Sequence, residues 1–387
     1  MKNILLVATG DTRGNTGGIA ASLMKVLLLN RHLIDVSFYD ISFITTHKKE
    51  LYFTDKYYNM PDSKLIRLFK NIPFVRRFFR EEIICREFEK HLKKHRYDLI
   101  IIYEMQPYCD RLIKIAHSYD TKVMIRPWGS DVLRANTNKR KRHAFSFKNV
   151  DYVSGYIGSS VILYIQREFH VENERIHLTH PSLPLVPEIL KYEGKVTRED
   201  MIKELGFPES SCYIICGYSG SKTHFHHIII DSINKVKNEI PKDAVLIFPL
   251  TYGGTEEYRQ SIREKCDEYA LQAYLIQQFL TQKQMAFLHL VSNLFINIQP
   301  TDNGNGFLIE ELVCGNKVIC GEWLKYEQFE GFGVPYFLCD SYETLSDTIL
   351  EALKAPTSKV PQQLMDDLRQ QTPDRVKEDW AQLFNTL

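Results

Sequence analysis

The sequence predicts an α/β protein built from two doubly wound parallel sheets. Three observations carry that prediction: a length of 387 residues, short apolar runs alternating with intervals long enough for helices, and one break in the alternation near mid-chain. Single domains mostly hold about 100–200 residues, so a chain of this length divides in two. Its 44% hydrophobic and 25% charged residues are the balance of a soluble globular protein.

In the first half the apolar runs are 3–8 (NILLVA), 34–40 (IDVSFYD), 97–103 (YDLIIIY), 122–127 (KVMIRP) and 151–156 (DYVSGY). Such runs read as buried strands, and the helical intervals between them imply parallel pairing through right-handed crossovers. Pro181, Pro184 and Pro187 interrupt the pattern, and a charged stretch to about Glu204 reads as a linker. Strand-like runs resume at 212–218, 244–250, 273–279, 294–298, 317–320 and 335–338. The closing segment, 372–387, reads as a capped amphipathic helix with Val376, Trp380 and Leu383 on one face. The resulting division is a first domain over 1–185, a second over 186–371 and the helix 372–387.

Lys plus Arg number 49 against 48 acids, so overall charge favours no class of partner and any basic surface must be local. The opening MKNILLVATGDTRG has an apolar run of about six residues, short for a signal-peptide core. No window approaches the roughly 18 apolar residues of a membrane span. A cytoplasmic protein is expected, and the eight cysteines, mostly in apolar surroundings, fit a reducing compartment. Cys212 and Cys216 precede His224, His226 and His227, but a four-residue spacing on a strand lacks the loop of a zinc knuckle, so buried thiols are favoured over a metal site.

In open α/β sheets the ligand sits beyond the carboxyl ends of the strands. The loop after the first strand, 9–23, carries Gly17 and Gly18, which permit close approach of a ligand ahead of a helix N-terminus. Its glycines do not fit GxGxxG, which removes support from a dehydrogenase. After the first strand of the second half, Gly217, Ser219 and Gly220 form a tight polar turn with Lys222 near the next helix, the parts of a phosphate cradle. Ser221 stands where a Walker A loop needs glycine, so the loop is no P-loop. A Gly-Ser turn beside a solvated lysine is the plainer alternative.

A third loop, TDNGNGFLIEELVCGNKVICG (301–321), combines glycines with two carboxylates. Asn303, Gly304, Asn305, Gly306 and Phe307 would bring a helix N-terminus and its free N–H groups to a diphosphate. Carboxylates repel phosphate but accept hydrogen bonds from sugar diols. Asp302 is therefore expected to hold the transferred sugar and Glu310 the ribose of the same nucleotide sugar.

From Asp302 to Ile319 the chain resembles the carboxylate-x7-carboxylate motif of family 4 glycosyltransferases, with Glu310 to Gly315 and Val318-Ile319 similar to the run that follows the second carboxylate. Gly17-Gly18-Ile19-Ala20 resembles the family's N-terminal glycine loop and Trp128-Gly129-Ser130-Asp131 its central loop. The turn Gly217 to Gly220 with Lys222, together with Phe248-Pro249-Leu250 and Tyr252, is similar to the fucosamine-type transferases of bacterial surface-polysaccharide assembly. The resemblance implies a GT-B fold, two Rossmann-like domains facing a central cleft: an acceptor domain, a donor domain and a C-terminal helix crossing back to the first. It also implies transfer of a sugar from a nucleotide-diphosphate donor to a glycan or lipid-linked acceptor. Three positions depart from the pattern: Asp302 stands for the usual Glu, Trp128 for His, and Tyr218 for an Arg after Gly217. Lys222 then serves alone or with another cation such as Arg13 or Arg126. Retention of anomeric configuration follows from the family 4 likeness, inversion from the other.

Departure of the diphosphate leaves positive character at the anomeric carbon and negative charge on phosphate, so fixed donors there stabilise the transition state. Asp302, Lys222 and Asp131 are the candidate catalytic residues. No Asp-X-Asp triplet occurs, and metal-independent transfer is expected. Trp128, Gly129 and His143 are acceptor-side candidates; the alternatives are a helix cap for Asp131 and an exposed position in a basic loop for His143.

The segment 63–80, SKLIRLFKNIPFVRRFFR, mixes Arg67, Lys70, Arg76, Arg77 and Arg80 with aromatics and contains no acid. That composition describes a helix lying on anionic lipid; a helix pair kinked at Pro73 is the alternative. A second basic run, 134–145, reinforces the first or forms a mobile loop. Nucleic acid is disfavoured by the neutral chain and the lack of a recognisable module. An epimerase of the same fold, or a non-catalytic nucleotide- or glycan-binding subunit, remains as the other reading.

Overall fold

A computed structural model describes residues 1–8, 23–41, 56–60, 73–157, 159–302, 306–324, 326, 329 and 331–386. It divides into two compact units, Met1–Ser182 with Pro373–Leu387, and Leu183–Thr372.

The first unit holds seven parallel strands: β1 (Lys2–Ala8), β2 (Ile34–Asp40), β3 (Tyr57–Asn59), β4 (Leu99–Tyr103), β5 (Lys122–Arg126), β6 (Tyr152–Tyr156) and β7 (Ile176–Thr179). Their order is β3-β2-β1-β4-β5-β6-β7. Side chains alternate across a strand, and β1 and β4 bury both sets. Leu5, Val7, Ile100 and Ile102 enter one core, and Ile4, Leu6, Leu99 and Ile101 the other. Such two-faced burial explains why central strands read as continuous apolar runs. The edge strands β3 and β7 are short and polar, and the sequence pattern does not reveal them. Val376, Trp380, Leu383 and Phe384 of the helix Pro373–Thr386 complete the second core.

The helix Pro73–Lys94 follows residues 61–72, and the kink at Pro73 weighed above lies outside the described residues. One sequence expectation for this unit changes. The basic run 134–145 is no mobile loop. Asn136 accepts a hydrogen bond from the Lys139 N–H at 3.0 Å and caps a helix over Thr137–Asn149. Arg142 ties that helix to Glu81 and Asp110, each at 3.2 Å.

The second unit holds six parallel strands: β8 (Tyr213–Cys216), β9 (Val245–Pro249), β10 (Ala273–Ile276), β11 (Leu294–Asn297), β12 (Lys317–Gly321) and β13 (Phe337–Cys339). Their order is β10-β9-β8-β11-β12-β13, and each begins inside an apolar run of the sequence. The charged stretch read as a linker is instead two helices, Val186–Tyr192 and Arg198–Leu205. Thr197 caps the second by accepting from the Asp200 N–H, and Val186, Ile189, Met201 and Leu205 are buried in the core. Among the described residues no helix is long and apolar enough to cross a membrane.

Candidate functional site

The strand order of the second unit reverses between β8 and β11, where a doubly wound sheet opens its ligand crevice. The loops leaving these strands meet there. The Tyr218 hydroxyl accepts from Gln299 Nε2 at 2.9 Å, and the Tyr218 ring stacks on Phe307 with centroids 6.0 Å apart. Trp323 Nε1 donates to the Gln299 carbonyl at 2.8 Å and fixes the loop after β11. The loop after β8 is locked from its other side, where the Gly220 N–H donates to the Tyr252 carbonyl at 2.7 Å. A Cβ on Gly220 would stand 2.5 Å from the Gly253 oxygen, so only glycine fits this backbone contact.

Asp302 leaves the crevice floor half-buried. Its Oδ2 accepts from Asn297 Nδ2 at 2.8 Å and from the Tyr326 hydroxyl at 2.7 Å, and Asn297 also donates to the Tyr326 oxygen at 2.8 Å. This closed triangle fixes the direction of the carboxylate. Burial first and the Asp302 charge second raise the Tyr326 phenol well above its ordinary value, so it stays a donor.

Glu310 lies inside the helix Gly306–Val313, 9% exposed. Its Oε2 is 3.2 Å from His289 Nε2, off the line of a good hydrogen bond, so charge rather than an aligned bond joins the pair. Its Oε1 lies 3.8 Å from where a Cβ on Gly306 would stand, at the first turn of the helix. The other imidazole nitrogen, Nδ1, is 2.6 Å from Glu311 Oε1. Asn316 Nδ2 donates to Glu311 Oε2 and to the His289 carbonyl, both at 2.7 Å. Burial pulls the His289 imidazole down, but the Glu311 carboxylate with its hydrogen bond to the ring, and the nearby Glu310 charge, outweigh it and raise it to about 9.

The structure thus brings Asp302, Phe307 and Glu310 to one place. Ser219 is buried, and its Oγ accepts from the Ser221 N–H within its own turn. Lys222 points elsewhere: its ammonium stands 5.5 Å from the Tyr258 ring and lines a cavity of about 480 Å³ with Thr255, Glu257, His227 and Ser261. Asn303, Gly304 and Asn305 lie outside the described residues, as do Gly17, Gly18 and Arg13.

In the first unit the strand order reverses between β1 and β4. Asp131 receives four contacts from backbone N–H groups, from Met105 at 2.7 Å, Trp128 at 3.0 and 3.1 Å, and Gly129 at 2.8 Å. Held by these three N–H groups, Asp131 fastens the loop after β4 to the loop after β5. His143 is not exposed in a loop or turned to an acceptor: it is 1% exposed on the core side of its helix, and burial lowers it to about 4. Arg126 is 4% exposed, its guanidinium held by Ser154 and Thr179 and stacked over Tyr156 at 4.5 Å, which removes it as a cation for phosphate. Trp128 is half-buried with its ring edge-on to Tyr103 at 6.1 Å, and Gly129 takes a φ of 122°. Arg67 and Lys70 lie outside the described residues; Arg76, Arg77 and Arg80 fall in the helix Pro73–Lys94, and Arg80 is exposed.

Sequence reasoning missed Glu104, the residue after β4. It is half-buried and holds a φ of 88°, a conformation that side-chain-bearing residues adopt at a cost and that clusters at functional sites. Burial raises its carboxyl to about 7, the Asp131 charge adding and Gln106, Arg80 and Lys139 opposing. An acid closing the apolar run LIIIY was the available signal. Among the described residues no group of three or more His, Cys, Asp or Glu could hold a metal ion. Cys212 and Cys216 are buried in the apolar core.

No protein-family model matches the sequence, and no curated protein matches it. Solved structures do match over the whole chain. A sucrose-phosphate synthase from Thermosynechococcus elongatus has a TM-score of 0.73 at 12% identity, covering 100% of this chain and 99% of its own. HepE from Anabaena, solved with UDP, has a TM-score of 0.70 at 13% identity, with 100% of both chains covered. A glycosyltransferase from Rickettsia africae has 0.71 at 12% identity, covering 100% and 98%. The chain has the GT-B fold. Within the GT-B fold the two sheets described above are the two Rossmann-like domains, and the crevice at β8 and β11 belongs to the second.

Proposed function

We propose that the protein is a glycosyltransferase that moves a sugar from a nucleoside-diphosphate donor to a glycan or lipid-linked acceptor in bacterial cell-surface polysaccharide synthesis. The observation that carries this reading is the pair Asp302 and Glu310 flanking the N-terminus of the helix Gly306–Val313 at the switch point of the second sheet. The fold adds support, since HepE has been solved with UDP and with UDP-glucose.

The chemistry follows from those positions. The helix N-terminus faces the leaving diphosphate with N–H groups already fixed, and losing one such donor costs about 3 kcal/mol in the barrier. Asp302, oriented by Asn297 and Tyr326, takes the hydroxyls of the transferred sugar; Glu310 takes the ribose. Lys222 reaches phosphate only by leaving the Tyr258 ring. The acceptor meets the first unit at Trp128, Gly129 and Glu104. With Asp131 and His143 committed inside that unit, attack on the same face as the departing diphosphate, with retention, fits best: the leaving phosphate oxygen takes the acceptor's proton. The sequence has no Asp-X-Asp triplet, and the transfer is metal-independent, so EDTA leaves it intact. The protein works in the cytoplasm, peripheral on the inner membrane face through its basic segment.

Thermal stability of wild type and Glu310→Ala against UDP, GDP, dTDP, CMP and NAD tests the donor site. A ligand at 100 times its Kd stabilises by about 2.7 kcal/mol. One nucleoside diphosphate should stabilise wild type and not the variant. A response only to NAD, or an unchanged variant, overturns the reading, and conversion of the donor sugar without an acceptor assigns an epimerase instead.

A further inference from the structure

The geometry points to His289 as the positioning residue of the donor site: a buried imidazolium clamped between two carboxylates that sets which oxygen of Glu310 faces the ligand. This rests on the reading of Glu310 as the ribose carboxylate.

His289 is the one imidazole of the helix Gln282–Val291, otherwise apolar on its buried faces, and it is fully buried. A histidine in such a position needs a reason, because an uncompensated buried polar group is unfavourable. Here both nitrogens face carboxylates, Nδ1 at 2.6 Å from Glu311 and Nε2 at 3.2 Å from Glu310. With Nδ1 hydrogen-bonded to Glu311 and the Nε2 edge facing the Glu310 carboxylate, a protonated ring is the form that both neighbouring charges favour. Glu311, itself 0% exposed and held by Asn316, supplies the matching charge. Glu310 is therefore drawn by one oxygen, Oε2, and its Oε1 is turned to the first turn of the helix. The Phe307 ring lies 4.4 Å from the imidazole and also stacks on Tyr218, so the same histidine supports the aromatic wall of the crevice.

The titratable groups facing the imidazole are Glu310 and Glu311, with the half-buried Cys314 thiol beside them, pushed up first by burial and then by Glu311. The helices Val186–Tyr192 and Arg198–Leu205 pack along the same helix; of their charges, Lys191 pairs with Glu188 and Glu204 with Lys283, each at 3.2 Å, and Arg198 donates to Asn293 at 3.1 Å. A histidine raised from 6.5 to about 9 adds stability that is full below the unfolded value and is lost as pH rises through about 9. The orientation of Glu310 goes with it.

Titration calorimetry with UDP, or with GDP or dTDP if the panel above selects one of them, tests the inference on wild type and His289→Gln from pH 6 to 10. The variant is expected to bind about tenfold more weakly at pH 7, about 1.4 kcal/mol, the scale of one lost charge interaction in a buried site. The ratio between the two proteins should shrink towards one as pH passes about 9, a pH dependence that a merely structural loss would not produce. Equal affinities at pH 7, or a ratio independent of pH, overturn the inference and leave the donor site standing. Wild type that binds no nucleotide overturns both. Should the variant fail to fold, nitrogen NMR of the wild-type imidazole decides: protonation held to about pH 9 supports the clamp, and titration near the ordinary 6.5 sinks it.

Discussion

The Tyr326 hydroxyl donates to Asp302 Oδ2 at 2.7 Å, the same oxygen that Asn297 reaches from the end of β11. Two donors on one oxygen fix the plane of a carboxylate that would otherwise rotate, and they come from separate parts of the chain. Tyr326→Phe removes one donor without changing shape. It should lower kcat about tenfold, the scale of one hydrogen bond to a charged group, while nucleotide affinity stays within about twofold. Steady-state kinetics beside UDP calorimetry separate the two; an equal loss in both would mean that Tyr326 shapes the whole crevice instead of orienting Asp302.

Glu104 carries a second prediction, on pH. Its carboxyl is raised to about 7, chiefly by burial, so it is ionised, and able to accept a hydrogen bond from an acceptor hydroxyl, only above that value. The kcat/KM for acceptor should rise through pH 7 in wild type and lose this limb in Glu104→Gln, with the donor KM unchanged. Stability moves the other way. A carboxyl raised in the folded state favours folding below its unfolded value, about 4.3, and that advantage is lost as pH rises through 7. Glu104→Gln should therefore melt above wild type at pH 8 and match it at pH 4.

Trp380 tests the packing of the first unit. It is 0% exposed between β-sheet residues and its own helix neighbours, with the Arg126 guanidinium 5.4 Å from its ring. Removing an aromatic ring from a close-packed core costs about 3–5 kcal/mol. Trp380→Ala should lower the unfolding free energy by that much, and Trp380→Phe by much less, in urea unfolding followed by far-UV circular dichroism. Equal, small losses would show that the terminal helix contributes little.

What the sequence revealed and hid follows from burial. Strands such as β4, with all five residues buried, read as continuous apolar runs because helices cover both faces of the sheet. β3 and β7 have polar positions and lie at the edge, so they carry no such signal. The helix Thr137–Asn149 buries only His143, Ser146 and Phe147, too few to outweigh its basic composition, so its sequence equally suits a loop. Asp302 and Glu310 were legible because glycines and a helix start stand between them. His289 was not: it reaches Glu310 from a different helix, 21 positions earlier in the chain, and only the fold brings the two together. The anchoring of Asp131 is hidden for a related reason, since one N–H it satisfies belongs to Met105, in the loop after the neighbouring strand β4.

The basic segment makes the last prediction. Arg76, Arg77 and Arg80 stand near the start of the helix Pro73–Lys94, whose first turn holds no acid. Attraction to anionic lipid is worth about 1 kcal/mol for each basic residue near the surface, so three arginines together would change binding by roughly a hundredfold. Changing all three to Glu should abolish flotation with phosphatidylserine vesicles while leaving UDP binding intact, and raised salt should release wild type in the same way, because screening shortens the reach of exposed charge. Equal flotation of the two proteins would assign the segment to packing within the first unit. Loss of wild-type flotation only in detergent, with no effect of salt, would point to the interleaved aromatics, and not the arginines, as what holds the protein to the bilayer.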